Sequence, residues 1–326
     1  MLEHGGKLRE ASQRYGRSDW LDLSTGLNPN GYPAPAPAAE AWHRLPEHDP
    51  ALEAAAQCFY GAPRMLAVAG TQAAIQALPR LRSASRVAVS SPSYAEHLHH
   101  WSQHGHRSCA VPYAELGAAA NSVDVLVVCN PNNPTGEIVP RALLLEWAGM
   151  LAARGGWLVV DEAFGDTDGA NSVADATQAP GLIVLRSIGK FFGLAGLRLG
   201  FVAAREEVLD PLADMLGPWT VSGPAQQVAR SALEDQAWQR NTQEALRAAG
   251  KRLQSLLARH GIHSQGTALF QWWPEQQPES FHDHMARRGI WVRLFREAAR
   301  GIRLGLPPDE AGWQRLEQAL NEWTKR

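Results

Sequence analysis

The chain has 326 residues, 45% of them hydrophobic and 20% charged, with a formal net charge of −2. That balance supports packed cores and excludes a disordered chain, and the length suggests two domains or lobes. No basic excess is present to bind nucleic acid through phosphates, and no run approaches the roughly 18 apolar residues of a membrane span. The charged N-terminus lacks the apolar core of a secretory signal. Cys58, Cys109 and Cys129 show no CxxC spacing, so a reducing, cytoplasmic setting is expected.

Residues 1–40 read as an irregular arm, with DLSTGLNPNGYPAPAP supplying turn and extended-backbone chemistry. The arm is either a wrap-around linker or a segment lining a substrate site. DPALEAAAQCFYG, from Asp49, has the Asp–Pro start and closing glycine of a helix. Short apolar runs come next at 87–90, 123–129, 157–163, 182–187 and 199–204, separated by helical stretches. Such runs predict a mostly parallel sheet covered on both faces, whose ligands bind beyond the carboxyl ends of its strands. Residues 218–262 are mostly helical. ALFQWW, a helix around FHDHMARRG, IWVRLF, GIRLGL and a terminal helix from Pro308 then form a smaller α+β lobe. The expected division is an arm over 1–40 joining the small domain, a large domain over 41–217 and a small domain over 218–326. The 12 tryptophans are assigned to cores and lobe interface.

SIGKFFGLAGLRLG, Ser187 to Gly200, carries the most specific chemistry. Lys190 comes three residues after Ser187 and eight before Arg198. A lysine amine reacts with a carbonyl cofactor, while serine and arginine hold a phosphate, which together outline a pyridoxal 5′-phosphate site. A surface lysine in a glycine loop is the bland alternative. Asp161 closes an apolar run, where its carboxylate either pairs with a protonated pyridine nitrogen or caps a helix. Glu162 beside it is assigned to solvent or an arginine. Gly70, Thr71 and Gln72 in AGTQAAIQAL open a helix and form an anion site or an ordinary cap. Asn133 in CNPNNPTG donates to a phenolate oxygen or serves its own turn. Tyr94 in SPSYAEHLHHWSQHGH offers a face to stack on a ring. His97, His100 and His104 share a helical face, but no carboxylate or cysteine completes a ligand set. A solvated face and no metal are expected.

Assembled, these motifs resemble a fold-type I pyridoxal-phosphate enzyme of the aspartate aminotransferase superfamily. AGTQ, PSYAEH, NPNNPTG, DEAF, SIGK and RLG recur in order, and the likeness runs from Gly70 to Arg303. The resemblance implies that Lys190 bonds the cofactor aldehyde, Asp161 pairs with the pyridine nitrogen, Tyr94 stacks on the ring and Asn133 bonds the ring oxygen. It implies that Gly70, Thr71, Gln72, Ser187 and Arg198 hold the phosphate, that His97 supports Asp161, and that Arg303 grips the substrate carboxylate. The same likeness implies a homodimer.

Within the superfamily the chain is most similar to the threonine-phosphate decarboxylases of cobalamin biosynthesis, through His4–Gly6, LSTGLNPNG and DEAF. That likeness implies decarboxylation of L-threonine O-3-phosphate to aminopropanol phosphate, with His4, Ser24, Asn28 and Arg303 as candidates for the substrate end. Phe164 stands where many aminotransferases have tyrosine. Leu45, in HRLP, stands where many have the tyrosine that reaches the neighbouring subunit's cofactor. Both departures weigh against transamination. A histidinol-phosphate-type aminotransferase is the alternative enzyme, and a catalytically silent cofactor-binding module the alternative class.

Overall fold

A computed structural model describes residues 4–324 and divides the chain into two compact units. The larger comprises residues 31–133 and 137–241, the smaller residues 1–30, 134–136 and 242–326.

The larger unit is built on a seven-stranded sheet. Its spatial order is Met65–Val68, Gly200–Ala203, Leu182–Ser187, Trp157–Asp161, Val125–Cys129, Arg86–Ser91 and Arg107–Pro112. The central strands read as unbroken β-branched and leucine runs because both faces are covered. Val87, Val125, Val127, Val159, Ile183 and Leu185 are all buried against the flanking helices. Each such side chain stabilises the fold by about 1.5–3 kcal/mol relative to exposure. The strands from Arg86 to Ser187 pair in parallel, as their helical crossovers require. Gly200–Ala203 instead runs antiparallel to Leu182–Ser187, because residues 188–199 fold straight back as a loop with no crossover helix.

The two edge strands, Met65–Val68 and Arg107–Pro112, were not among the apolar runs. The second is largely exposed and ends in proline, as an edge paired on one side allows.

The unit boundaries fall at 30/31 and 241/242 where the sequence suggested 40 and 217. The reason is the helix Gly223–Glu234. Its apolar face, including Val228, Ala229, Ala232 and Leu233, is buried within the large unit, where it packs on the helix Pro50–Tyr60. Arg230 also lies 3.4 Å from Asp49.

The smaller unit carries a four-stranded antiparallel sheet in the order Arg293–Phe295, Gly301–Gly305, Phe270–Trp273, Gln265–Thr267. The N-terminal segment joins it by pairing Leu21–Asp22 in parallel with Ile290–Trp291.

Candidate active site

Three parallel strands of the large unit end in Cys129, Asp161 and Ser187, and beyond these ends lies a cavity of about 190 Å³. Nine sequence-predicted residues line it: Gly70, Thr71, Gln72, Tyr94, Asn133, Asp161, Ser187, Lys190 and Arg198. They come from five separate segments, so only the fold brings them together.

Lys190 sits in the loop after Leu182–Ser187, and the two phenylalanines next in the chain fix its position. Phe191 and Phe192 are fully buried, and Phe192 stacks on Trp238 at 5.6 Å between centroids with an interplanar angle of 12°. Phe59 packs against both. The loop is tightened where the Gly189 amide donates to Ser187 Oγ at 3.3 Å. Lys190 Nζ reaches into the cavity 5.3 Å from the Phe164 ring centroid, so an aromatic face stands where a tyrosine ring would also bring a hydroxyl. The anchoring role of the two phenylalanines was not read from the sequence, although their adjacency to the lysine was the available signal.

At the other end, Gly70 and Arg198 are fitted to one another. A Cβ on Gly70, whose φ is +72°, would lie 2.8 Å from the Arg198 guanidinium. Arg198 itself takes a left-handed conformation, φ 53°, and donates to the Ala195 carbonyl at 3.0 Å. Gly200 is equally confined, since a Cβ there would meet the Thr71 amide nitrogen at 2.8 Å. The glycines thus let a guanidinium, two hydroxyls and main-chain amides approach one spot.

Asp161 is buried, and each of its oxygens accepts a hydrogen bond. Oδ1 accepts from the Ala163 amide at 3.0 Å and Oδ2 from His97 Nε2 at 2.9 Å. Burial is the largest influence on His97 and opposes its charge. Hydrogen bonds to Asp161 and Cys129 together outweigh burial and hold its pKa up to about 10. The expectation of a solvated histidine face therefore fails at His97, which is 1% exposed because its helix packs on the sheet beside Trp101. His97, Cys129 and Asp161 bring possible metal-ligand atoms within 4.8 Å of one another. A histidine that keeps its proton for a carboxylate has no lone pair to give a metal at that nitrogen.

Successive strand residues face opposite ways, so Glu162 and Arg186 lie behind Asp161 and Ser187. Arg186 is buried between two carboxylates, pairing with Glu162 and, at 2.5 Å, with Asp166, and its guanidinium lies 4.5 Å from the Tyr60 ring centroid. Glu162 also accepts from the Val173 amide and the Ser172 hydroxyl. Burial pushes Asp166 up to about 6, against the pull of Arg186, which Glu162 shares. A carboxyl raised above its unfolded value of 3.8 contributes stability that is complete below pH 3.8 and lost as pH rises through 6. Asp166→Asn lacks this ionisation. Its stability relative to the unaltered chain is expected to improve by on the order of 2 kcal/mol between pH 4 and pH 7, as read by urea unfolding at both pH values. A difference independent of pH would refute the assignment.

The remaining predicted residues belong to the smaller unit. Arg303 is buried, its Nη2 donates to the Ser24 carbonyl at 2.7 Å, and its guanidinium lies 5.1 Å from the Phe270 ring centroid. The Ser24 hydroxyl accepts from the Gly6 amide and donates to Asp22 Oδ1. Asn28 is buried and its Oδ1 accepts from the Asn30 amide, while His4 is exposed. Arg293, absent from the sequence reading, stands directly opposite Arg303 in the strand register. Like charges facing across a strand pair repel. Burial and then the Arg293 charge bring the Arg303 pKa down to about 9. The signal for Arg293 was an alternation of arginines in IWVRLF and GIRLGL, whose register only the sheet reveals.

Residues 19–304 match the family described as aminotransferase class I and II. A protein of Pseudomonas aeruginosa named threonine-phosphate decarboxylase is 54% identical over 98% of this chain and 97% of its own length. One of the same name from Sinorhizobium sp is 43% identical over 98% and 97%. The crystal structure of histidinol-phosphate aminotransferase from Sinorhizobium meliloti in complex with pyridoxal-5′-phosphate superposes with a TM-score of 0.83 at 21% identity, covering 99% of this chain and 95% of that one. The chain belongs to the aminotransferase class I and II family.

Proposed function

We propose that this chain is a pyridoxal 5′-phosphate-dependent lyase that decarboxylates L-threonine O-3-phosphate to aminopropanol phosphate, a step of cobalamin biosynthesis. The observation that carries the chemistry is the meeting in one cavity of a lysine, a buried carboxylate and a glycine-lined arginine. The choice of reaction rests on the near-full-length likeness to the Pseudomonas aeruginosa decarboxylase.

The donor set fits the cofactor group by group. Arg198, the Ser187 and Thr71 hydroxyls and the space at Gly70 suit a phosphate dianion. Asp161 suits a cationic ring nitrogen, Tyr94 a flat ring, Asn133 a phenolate oxygen and Lys190 an aldehyde. Bound there, the cofactor supplies an aldehyde that condenses with amines and a ring that accepts electrons.

The chemistry left to the protein is positioning and proton transfer. Asp161, paired with His97⁺, would hold a proton on the ring nitrogen. Phe164 shields the lysine end of the cavity with an apolar surface and offers the ring oxygen no hydroxyl beside the Asn133 amide. As the carbon–carboxylate bond of the substrate breaks and carbon dioxide leaves, Lys190 Nζ delivers a proton to the α-carbon in its place. Arg303 is assigned to a substrate anion on family likeness, and Arg293 faces it across the strand pair, where a bound anion would relieve the repulsion between them. Fixing the substrate's anions would decide which bond of the α-carbon is aligned to break. Ser24 serves by aiming Arg303 through its carbonyl.

No described helix is long and apolar enough to cross a membrane, and a cytoplasmic enzyme is the reading adopted. A homodimer is proposed on family likeness, supported by the exposed apolar side chains of Trp42, Leu45 and Trp219.

The test is incubation of the purified chain and pyridoxal phosphate with L-threonine O-3-phosphate, or with histidinol phosphate and a keto acid. Carbon dioxide release from the first mixture alone is expected. Conversion of the cofactor to its amine form by histidinol phosphate, reversed by the keto acid and without carbon dioxide, would overturn the proposal in favour of transamination.

A further inference from the structure

Gln72 lines the cavity, yet its side-chain amide is engaged at both ends. Nε2 donates to Glu96 Oε2 at 2.7 Å, and Oε1 accepts from the Tyr94 hydroxyl at 3.1 Å. The orientation is dictated by chemistry. An ionised carboxylate only accepts, so the amide nitrogen must face Glu96, which turns the amide oxygen to Tyr94 and makes the phenol a donor. Glu96 is itself held by His100, whose Nε2 lies 3.1 Å from the same oxygen, and both side chains are 12% exposed. One carboxylate charge thus sets the direction of a chain running His100, Glu96, Gln72, Tyr94.

An acidic residue in the first turn of the helix Ala95–Gln103 would ordinarily face solvent and complement the helix dipole. Glu96 instead turns inward to a residue 24 positions away. Tyr94 is therefore held at two points. Its backbone takes the position just before that helix, and its hydroxyl is tied to Gln72. Burial, with the Glu96 and Asp161 carboxylates adding to it, raises the phenol's pKa above the ordinary value of 10, so the donated proton stays in place.

We propose that Glu96 and Gln72 are positioning residues that lock the Tyr94 ring over the cofactor site by fixing the polarity of its hydroxyl hydrogen bond. The consequence is preorganisation: the stacking face is set before the cofactor arrives, so binding need not order it. The identity of the occupant rests on the proposed function, whereas the hydrogen-bond chain belongs to the protein alone.

The experiment has one arm for each. In the cofactor-free protein, tyrosine carrying carbon-13 at Cζ reports each of the five tyrosines, and Tyr94→Phe assigns the Tyr94 signal. Glu96→Gln keeps the shape but lets residue 96 donate as well as accept, so the Gln72 amide loses its dictated orientation. The Tyr94 resonance is expected to shift in Glu96→Gln and in Gln72→Ala. With pyridoxal phosphate, Glu96→Gln is expected to weaken cofactor binding roughly five- to tenfold and to reduce visible circular dichroism per bound cofactor, without moving the absorbance maximum. In the Tyr94→Phe background the same change should have little further effect, because the two residues act through one bond. An unmoved Tyr94 resonance in both variants, or additive losses of affinity, overturns the proposal. Failure of the unaltered chain to bind the cofactor would strike the functional reading instead, and the cofactor-free resonances would still decide the hydrogen-bond chain.

Discussion

Lys190→Ala is expected to leave a folded chain that neither holds pyridoxal phosphate covalently nor releases carbon dioxide. The loop around the lysine is anchored by Phe191 and Phe192 against Phe59 and Trp238, none of which the substitution touches, so the fold should survive. What is lost is the amine that bonds the aldehyde and returns a proton to the α-carbon. Turnover should fall by at least about ten-thousandfold, since both roles act on one reacting centre and no neighbour can replace either. The chain has four lysines, Lys7, Lys190, Lys251 and Lys325, and among the described ones only Lys190 lines the cavity. Borohydride reduction and then peptide mass analysis should therefore place the adduct on Lys190 alone. An adduct on another lysine, or an unchanged visible band in Lys190→Ala, would refute the site.

The parts of this site that were legible in the sequence are those whose residue type is costly or unusual in its local setting. Asp161 stood out because a carboxylate ends an apolar strand, and Lys190 because a lone amine sits among glycines and phenylalanines. The central strands were legible because burial on both faces removes alternation and leaves continuous apolar runs. Arg186 was not legible. Glu162 was expected to face solvent or an arginine, but nothing in LIVLRS marks Arg186 as that arginine, and only the fold adds Asp166 as its second buried partner. The Gly223–Glu234 helix was assigned to the wrong unit for a similar reason. Its composition says that it has an apolar face, not which helix covers that face. Gln72 shows the same limit at the level of one side chain. Its place in the cavity could be read from AGTQ, but the carboxylate that sets its orientation lies in a different motif.

The network behind the sheet and the acceptors in front of it divide the work of holding Asp161. Behind, Glu162 and Arg186 tie together the strand ends from which Asp161 and Ser187 project. In front, His97 and the Ala163 amide each take one carboxylate oxygen. Asp161→Asn tests the front pair. An asparagine has one acceptor oxygen where the carboxylate has two, so either Ala163 or His97 must face an amide hydrogen. Burial already opposes the His97 charge, and loss of the carboxylate removes the largest support against it, leaving only Cys129. The His97 imidazole, whose pKa is held up to about 10 in the unaltered chain, is expected to fall toward the ordinary value of 6.5 in the variant, as tracked by ring-proton NMR. The linked stability has a fixed sign. A raised imidazole contributes stability complete below pH 6.5 and lost as pH climbs toward 10, and Asp161→Asn should show no such decline. Decarboxylation should slow by about 100- to 1000-fold, because a neutral amide cannot hold the ring nitrogen's proton through charge. Retention of activity within tenfold, together with an unmoved His97 titration, would show that the carboxylate's charge is not what this site uses.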